Sequence, residues 1–188
     1  MEGKDDPAGR HRSTARERVL DAARTLFAGY GVSGTSLQMI ADHLGVTKAA
    51  VYHQFHTKDE IVLTLLEKPI AEIDAILDQA EAMDTRERQL DTVLTGLVDV
   101  VLANPDVVGM IQGDPTVARL VQTRPEYHDT AGRIGDLLAG PQPDQTTRIA
   151  GALYGAGLLA IGHHPLLGAL DPDTVRDELP RIGKRILM

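Results

Sequence analysis

The stretch from Ser36 to Phe55 constrains the fold of this chain most, because it holds two short helical patterns separated by a brief turn. In the first pattern the apolar residues are spaced i, i+3, i+4 and i+7, which places them on one helix face: Leu37, Ile40, Ala41 and Leu44. Gly45 follows, where a left-handed backbone ends a helix without a Cβ clash. Thr47 then provides a cap for a second helix that begins at Lys48. This arrangement is typical of a helix-turn-helix, whose second helix enters the DNA major groove.

The caps and the buried face of these helices are predicted from the same stretch. Thr35 is the predicted N-cap of the first helix, and Gln38, three residues later, completes a capping box. Val51 and Phe55, spaced i and i+4, are predicted to face the first helix. An ordinary hairpin in a helical bundle has the same pattern, so these residues alone leave DNA binding and plain architecture as equal alternatives.

The flanking sequence favours the DNA-binding interpretation. From Arg16 to Glu67, the segment RERVLDAARTLFAGYGVSGTSLQMIADHLGVTKAAVYHQFHTKDEIVLTLLE resembles the N-terminal domain of the tetracycline-repressor-like (TetR) family of transcription regulators. The resemblance rests on LDAARTLFAGYGVSGTS before the motif, IADHLGVTKAAVYHQF within it and HTKDEIV after it. It does not extend into the remainder of the chain.

The 188 residues accommodate one DNA-reading module and one larger helical domain. We expect a flexible tail over residues 1–12, a three-helix helix-turn-helix domain over 13–60 and a helical regulatory domain over 61–188. No stretch has the alternation of a strand, so the predicted fold is all-α. Thr57 caps a longer helix in which Pro69 predicts a kink or break near Lys68, and Pro180 predicts a bend in the last helix.

Charge and composition limit the possible functions. The net charge is −8, but residues 1–60 hold eight basic and eight acidic side chains, so the acidic excess lies in the C-terminal part. Because nonspecific DNA affinity comes from phosphate neutralisation, a neutral module implies that two modules act together. The chain has no cysteine, which excludes disulfides, thiolate metal sites and cysteine nucleophiles. Without a signal peptide or an apolar run that spans a bilayer, a soluble cytoplasmic protein is expected.

Nine residues are predicted to contact DNA, on their side-chain chemistry and on the resemblance. Three long polar side chains are expected to reach base edges, and one alanine a thymine methyl; these are Gln38, Lys48, Gln54 and Ala49. Five others are predicted phosphate partners: Ser36, Thr47, Tyr52, His53 and Lys58. The alternatives are packing alone for Tyr52 and a solvated helix face for His53 and Gln54. The Ala49-Ala50 pair departs from more polar family members and suggests few base contacts, with DNA shape sharing the specificity.

The resemblance implies a homodimeric repressor that is released from a palindromic double-stranded operator by a small molecule. It implies that residues 145–162 and 171–188 form a four-helix dimer interface, which places two recognition helices in successive major grooves. The effector is expected to act through its different affinity for two conformations. Because the C-terminal part has only Tyr127 and Tyr154 as aromatics, we expect a mainly aliphatic pocket, with Met110 and Gln112 as further lining candidates.

The remaining motifs do not predict chemistry. His163-His164 is adjacent rather than spaced i, i+4, so a helix end is favoured over a metal site. No carboxylate pair, phosphate loop or nucleophile is singled out, and neither a catalytic residue nor a cofactor is predicted. The alternative function is an all-α enzyme or small-molecule-binding protein in which the helix-turn-helix is only structural. That alternative requires a convergent set of titratable groups, which the sequence does not suggest.

Overall fold

The computed structural model describes residues 14–161 and 170–188. The predicted tail and the His163-His164 pair lie outside these described residues. In them the chain forms ten helices and no strand, so the all-α prediction is confirmed within that range. The helices are α1 (Ala15–Gly34), α2 (Leu37–Leu44), α3 (Lys48–Gln54), α4 (Lys58–Glu81), α5 (Arg86–Ala103), α6 (Pro105–Gly113), α7 (Pro115–Gln122), α8 (Pro125–Ala139), α9 (Gln145–Ile161) and α10 (Pro172–Leu187). We refer to α1–α3 as the reading head and to α5–α10 as the C-terminal helices.

The cap of α2 differs from the prediction by one residue. Ser36, not Thr35, is the N-cap, and its hydroxyl accepts a hydrogen bond from the Met39 amide at 3.1 Å. Thr35 is buried, and its hydroxyl donates to the Gly31 carbonyl at 2.8 Å. Gln38 bonds to Asp42 instead of completing a capping box. Thr35 is drawn inside because its hydroxyl can satisfy a buried carbonyl while its methyl group packs, a choice that depends on tertiary structure.

Two helices continue through an internal proline. α4 continues through Pro69 from Lys58 to Glu81, and α10 continues through Pro180. Pro69 is itself buried, among apolar residues on both sides of it along α4. Burial of that continuous face stabilises the helix despite the missing amide hydrogen bond, because tertiary packing supplies most of the stability of protein helices. The predicted break near Lys68 is therefore wrong, whereas the alternative of a kink there and the bend at Pro180 stay predictions.

Two apolar cores meet along α4. The first joins α1, α2 and α3 to the first half of α4, and it also receives Val107 and Met110 from α6, Val117 from α7 and Tyr127 from α8. The second joins the end of α4 to α5, α8, α9 and α10. The predicted domain boundary at residue 60 falls in the first turn of α4, a helix that contributes to both cores. Motion of α4 would therefore displace residues in both cores.

Within residues 14–161 and 170–188, no individual helix has the length and apolarity needed to cross a membrane. α5 and α6 meet that requirement only when taken together, and they are bent by 86° relative to each other.

Candidate functional site

The turn between α2 and α3 has the geometry that the sequence predicts. Gly45 adopts a left-handed conformation with φ of 66°, and the Val46 amide donates to the Ala41 carbonyl at 3.0 Å. Thr47 caps α3, and its hydroxyl accepts from the Ala50 amide at 3.2 Å. Only glycine adopts this backbone without strain, so the reversal between the two helices is built into the sequence.

The inner face of α3 is enclosed by the reading head and α4. Val51 and Phe55 are fully buried, and they pack in the same core as Ile40 and Ala41 of α2. This confirms that the i, i+4 pair faces the first helix of the motif. Because both sides of the contact are apolar and enclosed, the orientation of α3 is fixed by packing.

The outer face of α3 projects into solvent. Four of the residues predicted to contact DNA are exposed there: Lys48, Ala49, Tyr52 and His53. Tyr52 itself is 52% exposed. The Tyr52 ring meets the His56 ring edge-on, with 4.8 Å between centroids. This contact orients Tyr52 at the end of α3 and leaves much of its surface exposed. The face therefore presents an ammonium group, an imidazole and a phenol, which are all groups that can bind phosphates or base edges.

The predicted phosphate partners Ser36 and Thr47 are exposed at the N-termini of α2 and α3. Each hydroxyl oxygen accepts a backbone hydrogen bond, and its hydrogen is still available for donation to a phosphate. Helix N-termini also carry partial positive charge, which favours an anion nearby. The two caps thus combine a local structural role with a geometry suited to the DNA backbone.

Two other predicted DNA contacts have side-chain partners inside the molecule, and a third is half-buried. The Gln38 amide donates to Asp42 Oδ1 at 2.7 Å, and the Lys58 ammonium group donates to the Val32 carbonyl at 2.7 Å. Gln54 is half-buried at the end of α3. These three residues therefore differ from the freely exposed residues of α3. To contact DNA, the side chains of Gln38 and Lys58 must leave their present hydrogen-bond partners or bind DNA in addition to them.

Arg16 of α1 contributes to the site but was not predicted. One guanidinium nitrogen donates to the Gln54 carbonyl at 2.9 Å and another to the Thr64 hydroxyl at 3.2 Å. The guanidinium carbon lies 4.0 Å from the centroid of the Phe55 ring, a cation–π contact. Arg16 thus ties the C-terminal end of α3 to α1 and α4. Sequence spacing gave no sign of this, because the partners are far along the chain.

The four candidate ligand residues are dispersed. Met110 and Gln112 line a cleft of about 510 Å³ between α1 and α6, whereas Tyr127 lines a cleft of about 390 Å³ between α4 and α8. Tyr154 packs in the second core, with its hydroxyl 3.3 Å from the Leu179 carbonyl, and burial raises its pKa to about 12. Of the four candidate ligand residues, only Met110 and Gln112 thus line the same cleft.

A cleft of about 960 Å³ lies beside α8 and α9. Its wall is mixed, with apolar side chains from α8 and three arginines from α5, α8 and α9. Arg86 donates to the Leu137 and Leu138 carbonyls at the end of α8, and its burial lowers its pKa. Arg133 is held by acids of α4, at 2.6 Å from Asp78. No sequence pattern indicated this cleft, because its lining residues come from four separated segments.

The last two helices expose large apolar side chains. On α9, Ile149 and Leu153 are 68% and 69% exposed, and on α10 Ile182 and Ile186 are 41% and 42% exposed. Each pair has i, i+4 spacing and lies on one side of its helix. We call these four residues the α9–α10 apolar strip. Concentrated apolar exposure of this kind marks an interaction surface more often than a free one.

Comparison with known proteins agrees with this geometry. Residues 19–65 match the family described as "Bacterial regulatory proteins, tetR family". An HTH-type transcriptional repressor of Mycobacterium tuberculosis, Rv3405c, is 32% identical over 127 residues, which cover 67% of this chain and 66% of that protein. Another repressor of that species, Rv1474c, is 25% identical over 69% of this chain and 63% of its own length. The chain thus aligns with slightly less than two thirds of these curated relatives.

Solved structures with a similar fold cover nearly the whole chain. A bacterial regulatory protein of the tetR family from Rhodococcus RHA1 has a TM-score of 0.71 at 18% identity, over 93% of this chain and 97% of that one. The ketosteroid transcriptional regulator KstR2 of Mycobacterium tuberculosis has a TM-score of 0.68 at 18% identity, over 97% of both chains. At this identity the likeness concerns the fold. Together with the sequence matches it identifies the chain as a member of the TetR family of bacterial regulatory proteins.

Proposed function

We propose that this protein is a transcription repressor that binds a palindromic operator in double-stranded DNA as a homodimer. The exposed outer face of α3 carries the proposal. Lys48, Tyr52 and His53 project from a helix whose inner face is fully enclosed, so the helix is held rigidly while its polar side remains free. A rigid, exposed helix after a tight turn is the element that enters the major groove in helix-turn-helix proteins.

The charge of the chain supports binding by a dimer. Residues 1–60 have no net charge, and the remainder is acidic, so one reading head has little general attraction for DNA. Two heads on one dimer combine their contacts on a single duplex, which raises affinity without new interactions within either head. The α9–α10 apolar strip supplies the surface for that dimer. Because the two-fold symmetry of such a dimer is matched by its DNA site, the operator is an inverted repeat with half-sites about one helical turn apart.

A selection of bound sequences from a random duplex pool at moderate salt tests this function. Enrichment of an inverted repeat is the expected result, because both heads of a symmetric dimer read the same half-site. Enrichment of a single half-site would contradict the dimer, and enrichment of nothing, even at low salt, would contradict DNA reading. Repeating the selection with protein refolded from denaturant removes any bound small molecule that keeps the heads apart.

We further propose that a small molecule in a cavity of the regulatory domain, predicted over residues 61–188, releases the repressor from DNA in the cytoplasm. The 960 Å³ cleft supports this best, since its volume falls within the range of drug-sized ligand sites. Its arginines and its apolar α8 residues suit a ligand with an apolar body and an acidic or polar group. The 510 Å³ cleft with Met110 and Gln112 is the second candidate.

Arg148→Ala and Gln112→Ala distinguish the two clefts. Arg148 lines only the larger one and Gln112 only the smaller among these cavities. A compound that dissociates the wild-type protein from its enriched duplex is titrated against both variants. A higher effector concentration for Arg148→Ala alone supports the larger cleft, and the reverse supports the smaller.

A further inference from the structure

Asp114 is a buried carboxylate at the junction of α6 and α7. It is only 4% exposed, and it is the only buried charged residue among residues 14–161 and 170–188. It caps α7, with Oδ1 accepting from the Thr116 amide at 2.9 Å. Burying a carboxylate is unfavourable unless hydrogen bonds compensate for the lost water. An exposed aspartate would cap α7 equally well, so the burial of Asp114 calls for a second role.

The other partners of Asp114 belong to the reading head. Oδ2 accepts from the Ser33 amide at 2.6 Å, and Oδ1 accepts from the Ser33 hydroxyl at 3.0 Å. Burial raises the pKa of Asp114, but the bonds from Ser33 and Thr116 outweigh it, so the pKa lies below its ordinary value. The carboxylate is therefore charged, and its bonds to Ser33 are the stronger, charge-assisted kind.

Ser33 lies in the terminal turn of α1, residues 31–34, which leads into the helix-turn-helix. The helix is interrupted at Gly31, whose φ is 71°, so this turn is set off from the rest of α1. On its other side, the Lys58 ammonium group binds the Val32 carbonyl at 2.7 Å. Asp114 and Lys58 thus hold the terminal turn from two elements. Ser36, the cap of α2, is only three residues beyond Ser33, so the position of the turn determines where α2 starts.

A cleft adjoins this contact. The 510 Å³ cleft between α1 and α6 is lined by Gly31, Val32 and Asp114. A core contact could not be broken without repacking its neighbours, whereas a polar contact beside open space can be broken with little rearrangement. The bonds between Asp114 and Ser33 are therefore suited to hold the reading head in one position while remaining separable.

We propose that Asp114 is a positioning residue for DNA binding, which fixes the orientation of the reading head relative to the C-terminal helices through Ser33. This inference rests on the proposed function, because it concerns how two heads of one dimer are aligned for DNA. Without the contact each head samples more orientations, and binding must then restrict them, which weakens affinity.

Asp114→Asn removes this contact selectively. Asparagine has one acceptor oxygen, which can still accept from the Thr116 amide, and its NH₂ group is then turned toward the Ser33 amide, another donor. Asp144→Asn is the matched control, because Asp144 is exposed, lies outside the two predicted interface segments and accepts from the Thr147 amide at 2.7 Å at the start of α9. Both variants lose one negative charge, a change that by itself favours DNA binding. Weaker binding by Asp114→Asn alone would thus oppose the electrostatic trend.

The experiment measures the dissociation constant for the duplex enriched in the selection, at several salt concentrations. Asp114→Asn is expected to bind about tenfold more weakly, in line with the loss of a charge-assisted hydrogen bond, and Ser33→Ala a few-fold more weakly. Asp144→Asn is expected to bind as tightly as wild type or slightly tighter. The slope of log Kd against log salt should not change for Asp114→Asn, since a positioning residue contacts no phosphate.

Wild-type affinity in Asp114→Asn overturns the inference, as does a loss of the same size in Asp144→Asn. If Asp114→Asn fails to fold, Ser33→Ala decides, and wild-type affinity in that variant overturns the inference. A wild-type protein that enriches no duplex instead overturns the proposed function, and this inference with it.

Discussion

The reading head and the last two helices bury their apolar residues to different degrees. Beneath α3, Val51 and Phe55 are completely enclosed, whereas on α9 Ile149 and Leu153 are more than two-thirds exposed. The inner face of α3 therefore has its packing partners within one chain, whereas the outward apolar residues of α9 and α10 are left largely uncovered by the residues that the structure describes. From this difference we infer that the outward polar face of the head is the surface that meets DNA, and we propose that the outward apolar face of α9 and α10 is covered by a second copy of the chain.

Phe55→Ala is expected to have the largest effect, and it tests how tightly the reading head is packed. The substitution removes a fully buried ring and the cation–π partner of Arg16, so the free energy of unfolding should fall by about 3–5 kcal/mol. Urea unfolding followed by circular dichroism measures it. Tyr52→Ala, on the exposed side of the same helix, should change it by roughly 0.5 kcal/mol or less. Equal losses in the two variants would show that the inner face is not enclosed.

Leu153→Glu tests the apolar strip. If a second copy covers this residue, a buried charge should weaken the dimer by about 2 kcal/mol or more, roughly thirtyfold in its dissociation constant. Sedimentation velocity over a concentration series measures the change. Tyr30→Glu alters a residue of similar exposure on α1 and should leave the dimer intact. A dimer unchanged by Leu153→Glu would mean that the strip is not the interface.

Gly183→Ala tests how closely α10 approaches its neighbours. A Cβ at Gly183 would lie 2.7 Å from the Tyr154 ring and 2.8 Å from Leu94, so the unfolding free energy should fall by about 1–3 kcal/mol. Gly132→Ala on α8 is the control, since a Cβ there meets nothing within 4 Å. That variant should gain up to about 1 kcal/mol from helix propensity. A gain in both variants would indicate looser packing around α10.

Ser36→Ala tests the cap of α2 and is expected to have the smallest effect. Loss of the hydroxyl that accepts from the Met39 amide should lower the unfolding free energy by about 1 kcal/mol. Ser36→Asn supplies another good cap and should stay close to wild type. If both variants are equally destabilised, the side chain of Ser36 has some role other than capping.

The helix-turn-helix could be predicted from sequence because its determinants are local. Gly45, Thr47 and the spaced apolar residues act within one or two turns of their own positions, and the structure confirms each of them. The all-α fold followed for the same reason. Thr35 and Ser36 show the limit of this approach: both can cap a helix, and only the partly buried carbonyl of Gly31 decides between them.

Features that depend on distant residues could not be predicted. Arg16 meets Thr64, and Asp114 meets Ser33, across 48 and 81 residues of sequence. Pro69 was expected to kink or break α4 because the local sequence shows only its missing amide hydrogen, not the two cores against which the continuous helix packs. The clefts are likewise formed by segments that have no common motif.

Equilibrium binding of the enriched duplex by Lys48→Ala and Lys68→Ala tests most directly whether the outer face of α3 binds DNA. Both variants remove one exposed lysine, on α3 and on α4 respectively, so they change the net charge equally. Lys48→Ala should bind at least about tenfold more weakly, as expected for loss of a base or phosphate contact, while Lys68→Ala should retain wild-type affinity. Equal affinities in the two variants would contradict the account, because the exposed face of α3 would then not be the surface that meets DNA.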